Sequence, residues 1–245
     1  MNARRWRRPT ARAVALAVFG VALFGALGAW QWRRAAEKER LLAAFRTAAA
    51  EAPVDLAAVR DGADPARYPH VRVAGRYLAD RGYLLDEQVH AGRVGVHAIG
   101  VFAPLGESRL LLVDRGWVAW DHAPGTRPAL PPPAPGEVTL RGLYAPFPGG
   151  GLRLGGDPLP GQRDWPKLTL RLDPGEIAAD LGRPLLPRLL LLDAEADAGF
   201  VREWTPSVLP PERHRAYAVQ WWLFAAIAAG VFVAQHWRKV ENAKK

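Results

Sequence analysis

The sequence predicts an α+β membrane protein: two transmembrane helices flanking a β-rich extracytoplasmic domain, a small sandwich or barrel with short helices. Three observations predict it. Two uncharged apolar runs lie near the ends of the 245-residue chain, from Ala13 to Trp30 and from Ala216 to Trp237. The basic charge is concentrated outside them. Between them the hydrophobic period shifts from helical spacing to two.

The first element is a basic tail. Residues 1–12 carry Arg4, Arg5, Arg7, Arg8 and Arg12 and no acid, and residues 238–245 carry four Lys/Arg against one Glu. The formal net charge is +9, yet these tails leave 24 basic and 23 acidic residues for everything between them. Nucleic-acid binding needs cations along a folded face, so that class falls. Cysteine is absent, which removes disulfides, thiolate nucleophiles, zinc fingers and iron–sulfur ligation. Met1 is the one methionine, against a soft copper-carrying site. Twenty-eight of the 33 basic residues are Arg in an Ala/Gly/Pro-rich background, a pattern of GC-rich coding and a bacterial source.

The second element is a span over 13–32. The 18 residues from Ala13 to Trp30, without a charge, make roughly 27 Å of helix, close to the hydrocarbon thickness. A cleaved signal peptide would suit the charged start and Ala26-Leu27-Gly28, but the run is long for one. The matching span, 216–237, has 22 uncharged residues and roughly 33 Å of helix. Trp30, Trp32 and Trp237 occupy interface-belt positions. Positive charge flanking both outer ends places both termini in the cytoplasm and residues 33–215 outside it, as a periplasmic domain of a bacterial inner-membrane protein. Arg33 and Arg34 compete locally, but they open a 183-residue segment that translocates largely regardless of charge.

Within the domain, Ala35 to Ala50 reads as a helical stalk continuing from the membrane. Pro53-Val54-Asp55 looks like a fresh helix start. Strands are expected from Val71 and Val73, from Tyr83 to Leu85 after a turn at Asp80-Arg81-Gly82, and from Val94 to Pro104. Further strands are expected at Leu110 to Val118, Val138 to Tyr144, Leu168 to Leu172, Leu189 to Leu192 and Phe200 to Trp204. One helix is marked at both ends, with Asp173 as cap, Pro174 first, Glu176 completing the box and Gly182 as stop. Pro124 to Pro135 holds six prolines in twelve residues and predicts an extended loop. Pro146 to Gly161 has four Pro and six Gly; its Gly149-Gly150-Gly151 lacks the Lys-Ser/Thr and helix of a phosphate cradle and reads as loop.

The expectation is that the chain is not an enzyme. There is no Gly-x-Ser-x-Gly and no His-Glu-x-x-His, and the serines are Ser108 and Ser207 alone. His70, His90, His97, His122, His214 and His236 have no zinc spacing. Pairs such as Asp86/Glu87 and Asp193/Glu195 are ordinary solvated carboxylates.

One constellation stands apart, where the second span begins. His214, Tyr217 and Trp221 are spaced i, i+3 and i+7 and share a helix face, with Arg213 and Arg215 beside the imidazole. An imidazole can ligate haem iron, aromatic rings can flank a macrocycle and guanidinium groups can hold propionates. An ordinary interfacial helix end accounts for the same residues. His236 is about 33 Å away along the helix and cannot serve the same iron.

Four blocks in order carry a resemblance over nearly the whole chain. They are Leu27-Gly28-Ala29-Trp30-Gln31 followed by Arg34, Lys38 and Leu41-Leu42; Arg72-Val73-Ala74-Gly75-Arg76-Tyr77; Leu111 to Val118; and His214, Tyr217, Trp221. Together they resemble the surfeit-locus family of cytochrome c oxidase assembly factors, with Asp114 where Asn is common and Arg213 where a neutral neighbour is expected. The resemblance implies a biogenesis factor that binds haem a, stably or in transit, and helps insert it into the catalytic subunit of an aa3-type oxidase. It implies His214 as the iron ligand, with Tyr217, Trp221, Arg213 and Arg215 around the macrocycle. Trp30, Gln31, Arg34, Asp114, Arg115, Gly116 and Trp117 would be structural or would contact a partner. A buried Arg115 paired with Asp114 is the plainer reading of that block. The implied partners are the oxidase catalytic subunit, haem a synthase and the lipid bilayer. A scaffold that contacts the oxidase subunit without binding haem is the alternative; a membrane-anchored hydrolase lacks its motifs.

Overall fold

The computed structural model describes residues 4–61, 67–148, 159–194, 199–204 and 209–239. It divides into two compact units, one formed by Met1–Arg40 with Val208–Lys245, the other by Leu41–Ser207.

The first unit is helical. A short strand, β1 (Arg4–Trp6), precedes α1 (Ala11–Ala50), and α3 (Pro211–His236) runs into β9 (Trp237–Lys239). Both helices are long and apolar enough to cross a membrane, and only 6% of each one's apolar window is covered by protein. A core helix of a soluble protein would be covered; the low coverage of these two fits a membrane span. The expected first span and stalk form one unbroken helix, because no Gly or Pro interrupts the good helix formers after Trp30. The second helix starts at Pro211, five residues before the uncharged run, since Pro is well placed in a first turn. β1 and β9 pair antiparallel, Arg4 opposite Lys239 and Trp6 opposite Trp237.

The second unit is built on β3 (His70–His90), β4 (Arg93–Pro104), β5 (Leu111–Ala119), β6 (Glu137–Ala145) and β8 (Leu189–Leu192), with β2 (Val54–Asp55), β7 (Lys167–Thr169) and α2 (Pro174–Leu181) as additions. The pairing runs β3–β4–β5–β8–β6 and returns to β3 through a β3–β6 ladder, so the sheet closes on itself. The β-rich domain is therefore a barrel and not a sandwich. Only β5–β8 is parallel within the ring, giving a five-stranded Greek-key barrel of the OB type. Closure depends on the length of β3, whose first half pairs with β6 and second half with β4.

The expected turn at Asp80-Arg81-Gly82 is instead a bulge inside that strand. Tyr77 faces Phe102 and Gly82 faces Gly100, so four residues of β3 stand against Val101 alone. Leu78 packs against an apolar cluster while Ala79, Asp80 and Arg81 are exposed, which suits the two charges, and the chain continues without reversing. The actual reversal is Ala91-Gly92, both at positive φ, a two-residue hairpin turn. Pro53-Val54-Asp55 likewise does not open an α-helix: Val54 and Asp55 pair with Val71 and Arg72, and a single 3₁₀ turn, Leu56–Ala58, follows. Phe200 to Trp204 is not a strand either; Val201 alone bridges Trp117. The Leu168 to Leu172 strand reduces to Lys167–Thr169. The α2 caps are as expected: Asp173 accepts from the N–H groups of Gly175 (2.9 Å) and Glu176 (3.0 Å), and Gly182 closes the helix at φ 64°. Residues 120–135 carry no regular structure, matching the proline-rich loop. Gly149-Gly150-Gly151, Glu195 and Ser207 lie outside the described residues.

Alternation along β5 sends Leu111 and Val113 into one apolar cluster and Leu110 and Leu112 into another. The first draws on all five barrel strands; the second is closed over by Ile177 of α2. A third, smaller cluster joins Phe45 and Ala48 of α1 to Tyr68, Leu143 and Ala145.

The β4–β5 turn is tied by charge. Glu107 accepts from Arg109 Nη2 (2.9 Å) and lies 3.2 Å from Arg60 Nη1. The Arg109 hydrogen bond, more than any other contact, holds its carboxyl down from 4.5 to about 2. A carboxyl depressed on folding stabilises above its unfolded value and loses that contribution as it protonates. Glu107→Gln is therefore expected to lower the thermal midpoint at neutral pH, and the gap to wild type should close between pH 4.5 and about 2. A gap that stays constant over that window would remove the ion pair as its source.

Candidate functional site

The His214 constellation sits at the start of α3, after Pro210 and Pro211, with Glu212 in the first turn where a negative charge suits the helix dipole. His214 is 9% exposed. Its Nδ1 lies 2.7 Å from Gln31 Oε1 of α1. A carbonyl oxygen can only accept, so Nδ1 is the donor in this bond, and in the neutral ring the lone pair is then on Nε2. Nε2 has no partner among the described residues and is not sealed from the surface. A fixed tautomer with the other nitrogen open is how proteins prepare an imidazole for a metal.

Helix pairing around this point is aromatic. Trp221 stacks on Phe24 (5.8 Å between centroids), Trp222 lies 5.7 Å from Trp32, and Phe224 meets both Phe24 and Trp221 edge-on. Gly28 is what lets Trp222 in: a Cβ there would lie 2.3 Å from the indole Nε1. This small residue is helix packing, the role that competes with its reading as part of a cleavage site.

The other residues expected around a macrocycle are differently disposed. Tyr217 shares the helix side of His214 but is 46% exposed. Arg215 forms an ion pair with Glu39 and lies 5.8 Å over the Trp32 ring, so its charge is already answered by an acid. Arg213 is exposed, with no ion pair among the described residues. Trp30 is exposed as well, and Arg34 pairs with Glu37 one turn along (2.8 Å). Sequence reasoning named Gln31 without its role and did not name Glu39; a spacing rule within one helix has no access to a contact between helices.

The Asp114 block belongs to the barrel. Asp114 does not pair with Arg115. Its Oδ2 lies 2.9 Å from His97 Nδ1 and its Oδ1 accepts from the Gly116 N–H at 3.0 Å. Neighbouring side chains of a strand point to opposite faces, so the next residue is the poorest partner available. Arg115 turns to the proline-rich loop, donating from Nη2 to Pro131 O (2.8 Å) and Pro132 O (3.1 Å). Gly116 lies at φ 123° and a Cβ would fall 2.6 Å from Phe200 Cβ and 2.8 Å from Val201 O. Trp117 is 5% exposed, donates from Nε1 to Gln88 O (3.0 Å), and exchanges backbone hydrogen bonds with Val201. Gly116 and Trp117 are thus both engaged in contacts within this unit. Among the described residues no group of three or more His, Asp or Glu is arranged to hold a metal ion.

A family model described as the SURF1 family matches residues 18–226. No curated protein matches the chain.

Proposed function

This chain belongs to the SURF1 family, whose members serve cytochrome oxidase assembly, and from that premise we propose that it handles haem a on the way to the oxidase catalytic subunit. Haem a is cargo here, held and passed on rather than kept. The observation that carries the reading is the Gln31–His214 hydrogen bond, which occupies Nδ1 and leaves Nε2 as the nitrogen that can meet a metal. Haem supplies the iron centre that such a donor can meet. The residues present fit that role in part: His214 offers the ligand, while Tyr217 and Arg213 are exposed beside it. Arg215 pairs with Glu39 across the two helices, at an exposed position.

In this reading both helices cross the bacterial inner membrane with both termini cytoplasmic and the barrel periplasmic. The β1–β9 pairing supports it, since it joins the two basic tails at one end of the helical unit. His214 then sits at the outer surface, where a lipophilic cargo within the bilayer is within reach.

Visible spectra test the proposal. Full-length protein purified in detergent from cells making haem a should carry a Soret band, and His214→Ala should abolish it. Gln31→Ala should weaken haem affinity about 10- to 100-fold, the usual cost of losing the group that orients a metal ligand. An unchanged spectrum in His214→Ala removes this imidazole as the ligand. Co-purification with the oxidase subunit without any chromophore favours a scaffold.

A further inference from the structure

The barrel holds a cluster of cations that the haem reading does not use. Nη2 of Arg115 is committed to the Pro131 and Pro132 carbonyls, and the guanidinium lies 4.8 Å over Phe200 and 5.9 Å from the Tyr77 ring. Of its five N–H groups, those on Nε and Nη1 make no hydrogen bond among the described residues. Burial pushes its pKa down, and the positive charge of Arg202 pushes the same way. Among the described residues no carboxylate pairs with this guanidinium, and a charge held in such a place favours an anion beside it.

A cavity of about 330 Å³ opens beside it, with Arg141, Arg202, Tyr77 and Phe200 also in its wall. Arg202 is fixed by carbonyls rather than acids, Nε to Arg115 O and Nη1 to Asp193 O, each at 2.8 Å. Arg141, on β6, is exposed and has no ion pair among the described residues. Among the described residues the one carboxylate in the wall is Asp193, which lies 2.8 Å from His70 Nε2. Among the described residues three guanidinium groups therefore share this wall with one acid, which also hydrogen-bonds His70. The volume is at the small end for ligand sites, and its aromatic and proline walls suit a flat apolar body.

We infer that this cleft binds a small organic oxyanion, a carboxylate or phosphate on a compact apolar body, gripped by Arg115, Arg141 and Arg202. Arginine forks match both groups, and partial burial strengthens the charged hydrogen bonds. The anion would supply the missing counter-charge and lock the 128–135 loop over β5. The site lies wholly within the barrel and stands or falls independently of His214.

Calorimetric titration of the full-length detergent-purified protein with benzoate, and separately with inorganic phosphate, tests it. Saturable one-site binding is expected with at least one probe. Response to benzoate alone assigns an aromatic carboxylate; response to phosphate alone assigns a phosphate; response to both assigns the oxyanion without its carrier. Arg141→Gln should weaken binding about tenfold or more, because it removes a charged donor and touches no internal contact. Arg115→Lys, which keeps the charge and loses the fork, should weaken it further. Arg76→Gln, exposed on β3 outside the cleft, should leave it unchanged. Absence of saturable binding at millimolar concentrations of both probes overturns the inference. So does an equal loss in Arg76→Gln and Arg141→Gln, which would mean diffuse surface charge.

Discussion

Gly116→Ala is expected to destabilise the barrel unit by about 2–5 kcal/mol, the sum of backbone strain and overpacking. At φ 123° the residue occupies a region that side chains avoid. Strain alone is of order 1–3 kcal/mol. Sterics add to it, since the new methyl meets Phe200 Cβ and the backbone oxygen of Val201, neither of which is the free end of a flexible chain. Relief would require moving the 199–204 segment, which takes the Arg202 anchors and the Phe200 wall with it. Denaturant unfolding measures the loss, and proteolysis around Val201 should rise in parallel. A variant within about 0.5 kcal/mol of wild type would return Gly116 to the class of surface contacts.

Trp117→Ala is expected to cost about 3–5 kcal/mol, the usual range for emptying a buried indole site. The ring is 5% exposed and packs beside Gly95, whose missing Cβ would fall 2.6 Å from it. It lies 5.2 Å from His90, and its N–H ties β5 to Gln88 near the second bulge of β3. Trp117→Phe keeps most of the apolar area and loses the hydrogen bond, so about 1–2 kcal/mol is expected. The same denaturation series checks both. A folded Trp117→Ala protein of normal stability that fails to support oxidase assembly would instead assign the indole to a partner interface.

These two residues illustrate how the sequence and the structure divide the work. Arg115-Gly116-Trp117 was conspicuous as a block, but its side chains go to three places: the proline-rich loop, the 199–204 segment and the β3 bulge. No spacing rule assigns those destinations, because adjacent residues of a strand face opposite sides and their partners come from distant segments. The bulge at 78–81 was misread for a related reason. Asp-Arg-Gly has turn chemistry, and only the common partner strand β4 holds the chain straight through it.

Helix α2 is the opposite case. Every group that starts and stops it lies within ten residues, so Asp173, Pro174 and Gly182 could be read off directly. The two long helices were legible for the same reason: an apolar run is a property of neighbours in the chain. By itself, then, the sequence determined where apolar helices form, where the main barrel strands lie and that the basic charge lies at the tails. The closed barrel, the His97–Asp114 pair, the cation cleft and the Gln31–His214 bond were decided by tertiary structure alone. Each needs groups brought together across long loops, up to 183 positions apart for Gln31 and His214. Hydrophobic pattern is nearly blind to which distant polar group will arrive, since register and packing choose among many partners of similar local chemistry.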